Sequence, residues 1–150
     1  MRRGALAAAA AGCAAALLAG CGSSTTGTPA RISVSGAYIP LPASPDVAVA
    51  YFDVSNSGGS ADRLTGVSTT AAQSAALNES TTTSMQTVDG VDVPAHGTAL
   101  FARGGTHVML MGLKPVPKLG QTIELTLSFQ HSGKVTVLAT VRPLTYQPPK

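Results

Sequence analysis

The sequence contains no tryptophan and few aromatic or charged residues, and these shortages narrow the fold classes open to it. Its 150 residues include 3 Phe and 3 Tyr, and 11% are charged whereas 44% are hydrophobic. Glycine (16) and proline (10) are frequent, and both destabilise the interior of helices. We therefore expect a single turn-rich domain with a thin core of Val, Leu, Ile and Ala, and a helical bundle is disfavoured.

Cysteine is scarce as well, and both copies lie near the N-terminus. Cys13 falls inside an apolar N-terminal run, and Cys21 ends it. The rest of the chain has no thiol, so it cannot form a disulfide or a thioredoxin-like redox pair. A blue-copper centre, which needs a cysteine ligand, is excluded in the same way.

The N-terminus has the organisation of a bacterial export signal. Two arginines precede an apolar run of roughly 15 residues, shorter than the ~20 that a membrane-spanning helix needs. The run ends in Leu-Ala-Gly-Cys at residues 18–21, which resembles a lipobox. We therefore expect a lipoprotein signal peptide at 1–20, lipid attachment at Cys21 and a flexible tether over 21–30. The alternative is an ordinary signal peptide with an incidental cysteine.

Net charge and motifs argue against two large functional classes. The chain carries +3, and removal of the two leader arginines would leave +1, too little to neutralise a phosphate backbone. We expect no nucleic-acid binding. The sequence has no Gly-x-Ser-x-Gly elbow, no phosphate-binding glycine loop with a following lysine and no His-Glu-x-x-His motif. We therefore expect a protein that is not an enzyme, with a small exported enzyme as an alternative.

From Arg31 onward, short apolar runs separated by turn residues predict an all-β antiparallel sandwich. We expect the domain at 31–144 and a tail at 145–150. The run at 47–54 looks buried on both faces, and 71–77 could form a helical turn, although a strand is preferred there. The predicted strands lie near residues 32–38, 47–54, 63–68, 75–79, 98–102, 107–111, 121–129 and 134–141, with a hairpin turn at 132–133.

One strand carries the residues that point most directly to chemistry. His107, Met109 and Met111 project from the same face of an extended strand because they are two residues apart. Thioether sulfur with imidazole is a soft ligand set that favours Cu(I) over Zn²⁺, Ca²⁺ or Mg²⁺. The alternative is that the methionines fill the core.

The spacing of these residues resembles that of the PCuAC family of extracytoplasmic copper chaperones. In this sequence, 21 residues separate Met85 from His107-Val108-Met109, and the family signature contains a Met, a 21-residue interval and His-x-Met. The segments at 49–52 and 104–114 also resemble the family, and the resemblance covers about residues 31–141. It implies a cupredoxin-like Greek-key sandwich that binds one Cu(I) per chain through Met85, His107 and Met109. Implied partners are a copper acceptor, such as cytochrome oxidase or its assembly factors, and the membrane through the lipid anchor.

One departure from the family pattern affects the ligand set. Asn78 stands where the family has its first histidine, and a carboxamide oxygen is a poor ligand for Cu(I). Three ligands would remain, and Glu79, His96 or Met111 are candidates for completing the site. The alternative function is a degenerate member that has lost the metal and acts as a structural or protein-binding lipoprotein.

Overall fold

The computed structural model describes residues 27–150, which contain ten strands and no helix. The predicted signal peptide, the predicted lipidation site at Cys21 and the first residues of the predicted tether, up to residue 26, lie outside the described residues. The all-β prediction is confirmed, and residues 72–80 form a strand rather than a helical turn. The strands are β1 (Ile32–Pro40), β2 (Val47–Asn56), β3 (Asp62–Ser68), β4 (Ala72–Ser80), β5 (Met85–Thr87), β6 (Val91–Val93), β7 (Thr98–Phe101), β8 (Thr106–Leu113), β9 (Thr122–Phe129) and β10 (Gly133–Arg142).

The strands form one curled sheet in the order β5-β4-β8-β2-β1-β10-β9-β3-β6, and β7 pairs with β2 off this path. β2 joins the two halves because residues 47–50 pair with β8, whereas 52–55 pair with β7. All pairings are antiparallel except that of β1 with β10, which is parallel and aligns Tyr38 with Thr140. β5 and β6 were not predicted because three residues each are too few to show a period.

A single hydrophobic core lies between the two halves of the curled sheet. Phe52 of β2 stacks on Phe101 of β7 with ring centroids 4.3 Å apart, and both side chains are at most 2% exposed. Val108 and Leu110 of β8 are fully buried in the same core. The inward side of β8 is therefore used for packing, which leaves its other side for a site.

The prediction that β2 is buried on both faces is wrong. Ala48, Ala50, Phe52 and Val54 are buried, but the alternating residues of β2 are half-buried or exposed up to Ser55. Their face is covered only in part, by the loop that follows β1 and by a residue beyond β10. The same alternation that buries one side of a strand exposes the other wherever no second layer covers it.

Both ends of the predicted domain have contacts beyond the expected boundaries. Thr28, assigned to the tether, accepts a hydrogen bond from the Gly59 N–H at its hydroxyl (2.8 Å). Tyr146, assigned to the tail, packs edge-on against Tyr38 with centroids 5.0 Å apart. The packed unit thus includes several residues that composition alone assigns to flexible ends.

Candidate metal centre

The strand register places the predicted ligands on one face of the sheet. β8 lies between β2 and β4, and β5 continues the sheet beyond β4. His107 is directly opposite Asn78, and Met109 lies between Val49 and Ala76. Residues directly opposite each other in an antiparallel pair point to the same side. His107 and Met109 therefore share the face that lies away from Val108 and the core.

His107 is held by a backbone contact in the orientation that a metal ligand needs. The residue is 6% exposed, and Nδ1 lies 3.0 Å from the Gly105 carbonyl oxygen. Because a carbonyl oxygen only accepts, this contact favours the tautomer with the proton on Nδ1, which leaves the lone pair on Nε2 for a metal. In metal-binding histidines, the N–H of the ring nitrogen that does not bind the metal commonly donates a hydrogen bond in this way.

Met85 reaches the same face from a different strand. It is opposite Ser80 at the start of β5, and two residues further on Thr87 is opposite Asn78. His107 and Met85 thus lie on one face, two strand spacings across the sheet and two residues along it, which puts their Cα atoms roughly 12 Å apart. Met85 is 55% exposed. A long, flexible and accessible thioether can close over a metal at His107.

Asn78 is buried and engaged within the sheet. Its side chain accepts a hydrogen bond at Oδ1 from the Thr87 hydroxyl (2.9 Å), and the residue is 4% exposed. Its position opposite His107 is where a second imidazole could face the same metal. Because the Asn78 amide oxygen already accepts this hydrogen bond, the candidate ligands on this face are the thioethers of Met85 and Met109 and the imidazole of His107.

The structure separates the three residues that could complete the site. Glu79 is opposite Thr106 and so points to the other side of the sheet from His107. Met111 shares the face of Met109 but lies four residues, or roughly 13 Å, along β8 from His107. His96 donates its backbone N–H to Gly58 in a turn beyond the far end of β2 (3.1 Å). None of the three adjoins His107.

An aromatic and cationic neighbourhood borders His107. The Tyr51 ring lies 6.4 Å from the His107 ring, and Tyr38 lies 5.3 Å from Tyr51, both centroid to centroid. Burial raises the pKa of Tyr51, although the positive charge of Arg103 acts in the opposite direction. The Tyr51 hydroxyl is therefore neutral at physiological pH and lies beside the metal face without a charge of its own.

Across residues 27–150 the structure contains no group of three or more His, Cys, Asp or Glu side chains placed to hold a metal. Within the same range it contains no helix suited to crossing a membrane.

Two features of the site were not predicted from the sequence. The Gly105 carbonyl that orients His107 belongs to the main chain, and only the glycine pair at 104–105 hinted at a special backbone there. Arg103 approaches Tyr51 through the fold, and its Nη2 donates to the Leu144 carbonyl oxygen (2.7 Å). A contact across 41 residues has no local sequence signal.

Comparison with solved structures supports the fold. A copper-bound PCuAC domain from PmoF2 is 26% identical with a TM-score of 0.68, and the match covers 78% of this chain and 97% of that one. The Cu(I)-bound solution structure of DR1885 from Deinococcus radiodurans is 31% identical with a TM-score of 0.65, covering 82% and 85%. The expectation of a cupredoxin-like β-sandwich is confirmed.

Sequence relatives place the chain in a family. A "Putative lipoprotein Lxx21020" of Leifsonia xyli subsp. xyli (strain CTCB07) is 34% identical over 116 residues, which are 74% of this chain and 69% of that protein. The family model described as "Putative lipoprotein LpqE-like" matches residues 32–141. The expected resemblance to the PCuAC family is confirmed as well. The protein is therefore a member of the LpqE-like lipoprotein family, which is related to the PCuAC copper chaperones.

Proposed function

We propose that this protein is an extracytoplasmic lipoprotein that binds one Cu(I) through Met85, His107 and Met109 and passes it to an acceptor protein. The observation that carries the proposal is the orientation of His107. Its Nδ1 lies within hydrogen-bond distance of the Gly105 carbonyl oxygen, which supports Nε2 as the metal-binding nitrogen, and the strand register supports a face shared with both thioethers. This donor set suits Cu(I) better than Cu(II), which favours nitrogen and oxygen ligands.

The chemistry of such a carrier is ligand exchange. A Cu(I) held by three ligands on an open face can accept a Cys, Met or His of the acceptor before its own ligands leave. Met85 is the most accessible of the three ligands, at 55% exposed, and we assign it as the first to be replaced. His107, held by the backbone, would leave last.

The anchor gives the transfer a location. Lipidation at Cys21 would keep the domain at the outer surface of the bacterial cell membrane, and a short tether raises its effective concentration for membrane-bound partners. The acceptor class that we propose is the copper site of a respiratory cytochrome oxidase or one of its assembly factors.

A Cu(I) competition titration with a chromophoric chelator tests the proposal on the exported chain in detergent, under anaerobic conditions. We expect one Cu(I) per chain. Met85→Leu and Met109→Leu, which keep side-chain volume, should each weaken binding by about tenfold, or ~1.4 kcal/mol, and His107→Ala should weaken it more. Met111→Leu is the matched control on the same strand and should stay within about threefold. Binding that Met111→Leu weakens as much as Met109→Leu would contradict the ligand set.

Asn78 favours one alternative function, that of a lipoprotein without metal. Its buried amide replaces the first imidazole of the family pattern and is hydrogen-bonded to Thr87. In that case the wild-type chain would not compete with the chelator, and Asn78→His would restore binding. This result would turn attention to protein partners.

A further inference from the structure

An open groove of about 340 Å³ borders the candidate metal centre. Its floor is the partly uncovered face of β2, formed by Val47, Val49 and Tyr51. Val49 is directly opposite Met109, and Val47 is directly opposite Met111. The groove and the metal face are therefore one continuous surface.

The walls of the groove are apolar and accessible. Pro40, at the end of β1, and Leu41 and Pro42, in the loop that follows, line the groove, as does Leu144 beyond β10. Leu41 is 36% exposed and Leu144 is 51% exposed. Apolar side chains gathered around a concave surface lose contact with water when a partner covers them, which stabilises the complex.

The groove carries a positive charge at the end nearest the metal face. Arg103 lines it beside Tyr51 and donates only to a carbonyl oxygen, that of Leu144. In the part of the chain that the structure describes, the ion pairs are those that Arg63 forms with Asp89 and Asp92, so Arg103 has no carboxylate partner there. The charge of Arg103 is therefore available to a partner. Asp46, which precedes the floor residue Val47, lies near the opposite end of the groove, and Asp53, two residues beyond Tyr51 on the same face of β2, is not ion-paired with Arg103.

We propose that this groove is the docking surface for the copper acceptor, and that the acceptor presents apolar side chains and a carboxylate beside its copper ligands. The apolar side chains would lie on Val47 and Val49, and the carboxylate would pair with Arg103. The inference rests on the proposed function, because it names the chemistry of the partner that receives the metal.

The geometry explains why docking and transfer would be coupled. A segment seated along β2 passes next to Met109, one strand spacing or about 4.8 Å away. Its own copper ligands would then reach the metal without movement of the strands. The positive charge at the metal end would speed encounter with an acidic partner and slow a basic one, with strong dependence on salt.

Three synthetic peptides test the proposal, each with the same pair of cysteine ligands separated by three residues. The first has Leu and Asp around the cysteines, the second has Leu and Lys, and the third has Ser and Asp. Cu(I) transfer from the loaded chain is followed by stopped-flow absorbance of the copper-thiolate product. At low salt we expect the first peptide to receive copper about tenfold faster than either of the others.

Matched variants separate the groove from general surface effects. Arg103→Gln keeps a donor for the Leu144 carbonyl while it removes the charge, and should reduce the preference for Asp over Lys to about twofold. Lys134→Gln, at the hairpin end of β10, makes the same charge change outside the groove and should leave the preference intact. Leu144→Ser should reduce the preference for Leu over Ser, whereas Leu138→Ser, at a comparably exposed site, should not.

Titration of the metal-free chain with the first peptide, followed by the NMR shifts of backbone amides, measures docking separately from copper binding. Amide shifts at Val49, Tyr51 and Leu144 would support the docking surface even if the chain bound no copper, in which case only the proposed function would fail. Equal transfer rates to all three peptides from a chain that does bind copper would overturn the docking surface alone. A concentration-dependent dimer that Leu144→Ser dissociates would also overturn it, because a second copy would then cover the groove.

Discussion

Asp62 at the start of β3 is the point where a single substitution should most clearly change the stability of the fold. Its side chain is 4% exposed. Oδ1 accepts the backbone N–H groups of Arg63 (2.7 Å) and His131 (3.0 Å), and Oδ2 accepts the N–H of Ser132 (2.9 Å) and its hydroxyl. One carboxylate thus satisfies four donors and ties the β9–β10 hairpin turn to β3.

Asp62→Asn should cost about 3 kcal/mol of unfolding free energy at pH 7. The amide keeps one acceptor oxygen, so its NH₂ group faces either the N–H groups of Arg63 and His131 or the N–H and hydroxyl of Ser132. The hydrogen bond of each N–H group that it faces is lost, whereas the hydroxyl can rotate and accept. Each bond to a charged acceptor contributes ~1.5–3 kcal/mol, and local relaxation recovers part of the loss. For a domain of this size the melting temperature should fall by roughly 10 °C.

The effect should depend on pH with a definite sign. Burial alone would raise the pKa of Asp62, but the hydrogen bonds from Ser132, Arg63 and His131 hold the pKa below its ordinary value. Because the unfolded pKa is about 3.9, the ionised carboxylate adds stability above pH ~4, and this contribution is lost as the pH falls through the folded-state value. The gap between wild type and variant should therefore narrow in acid.

Urea unfolding of the wild type and of Asp62→Asn, at pH 7 and at about pH 2.5, measures the difference in their unfolding free energies. Asp89→Asn is the matched control, because Asp89 is 95% exposed in its ion pair with Arg63, and such a surface pair is worth at most ~1 kcal/mol. A gap below ~0.5 kcal/mol at pH 7, or one that stays constant into acid, would refute the assignment of four bonds to Asp62.

Three further predictions concern the core and the site. Phe52→Ala should cost about 3–5 kcal/mol in urea unfolding, because it leaves a cavity against Phe101, and a loss below ~1 kcal/mol would contradict that packing. Thr87→Val should cost ~1–3 kcal/mol because it leaves the buried Asn78 oxygen without a donor. Its Cu(I) affinity should stay within about threefold of wild type in the chelator competition, and a larger loss would implicate the Asn78 oxygen. Free Cu(I) buffered at 100 times Kd should stabilise the chain by ~2.7 kcal/mol, as measured by thermal unfolding, whereas His107→Ala should show no such gain.

Eight of the ten strands, and the location of His107 and Met109 on one face, could be predicted from the sequence. Both follow from the two-residue period of an extended chain, which is a local property. For β2, the prediction that residues 47–54 are buried on both faces was wrong. Whether the outer side of a strand is covered depends on which other segments cross it, and here a loop and Leu144 cover it only in part.

The sequence by itself determined the alternation of the strands, the turns between them and the types of donor available for a soft metal. The tertiary structure alone decided that Asn78 lies opposite His107 and that Met85 shares their face. It also decided that Asp62 bonds to a turn 70 residues away. Register between distant strands is set by the packing of the whole core, because a shift by one residue would turn every buried side chain to the outside.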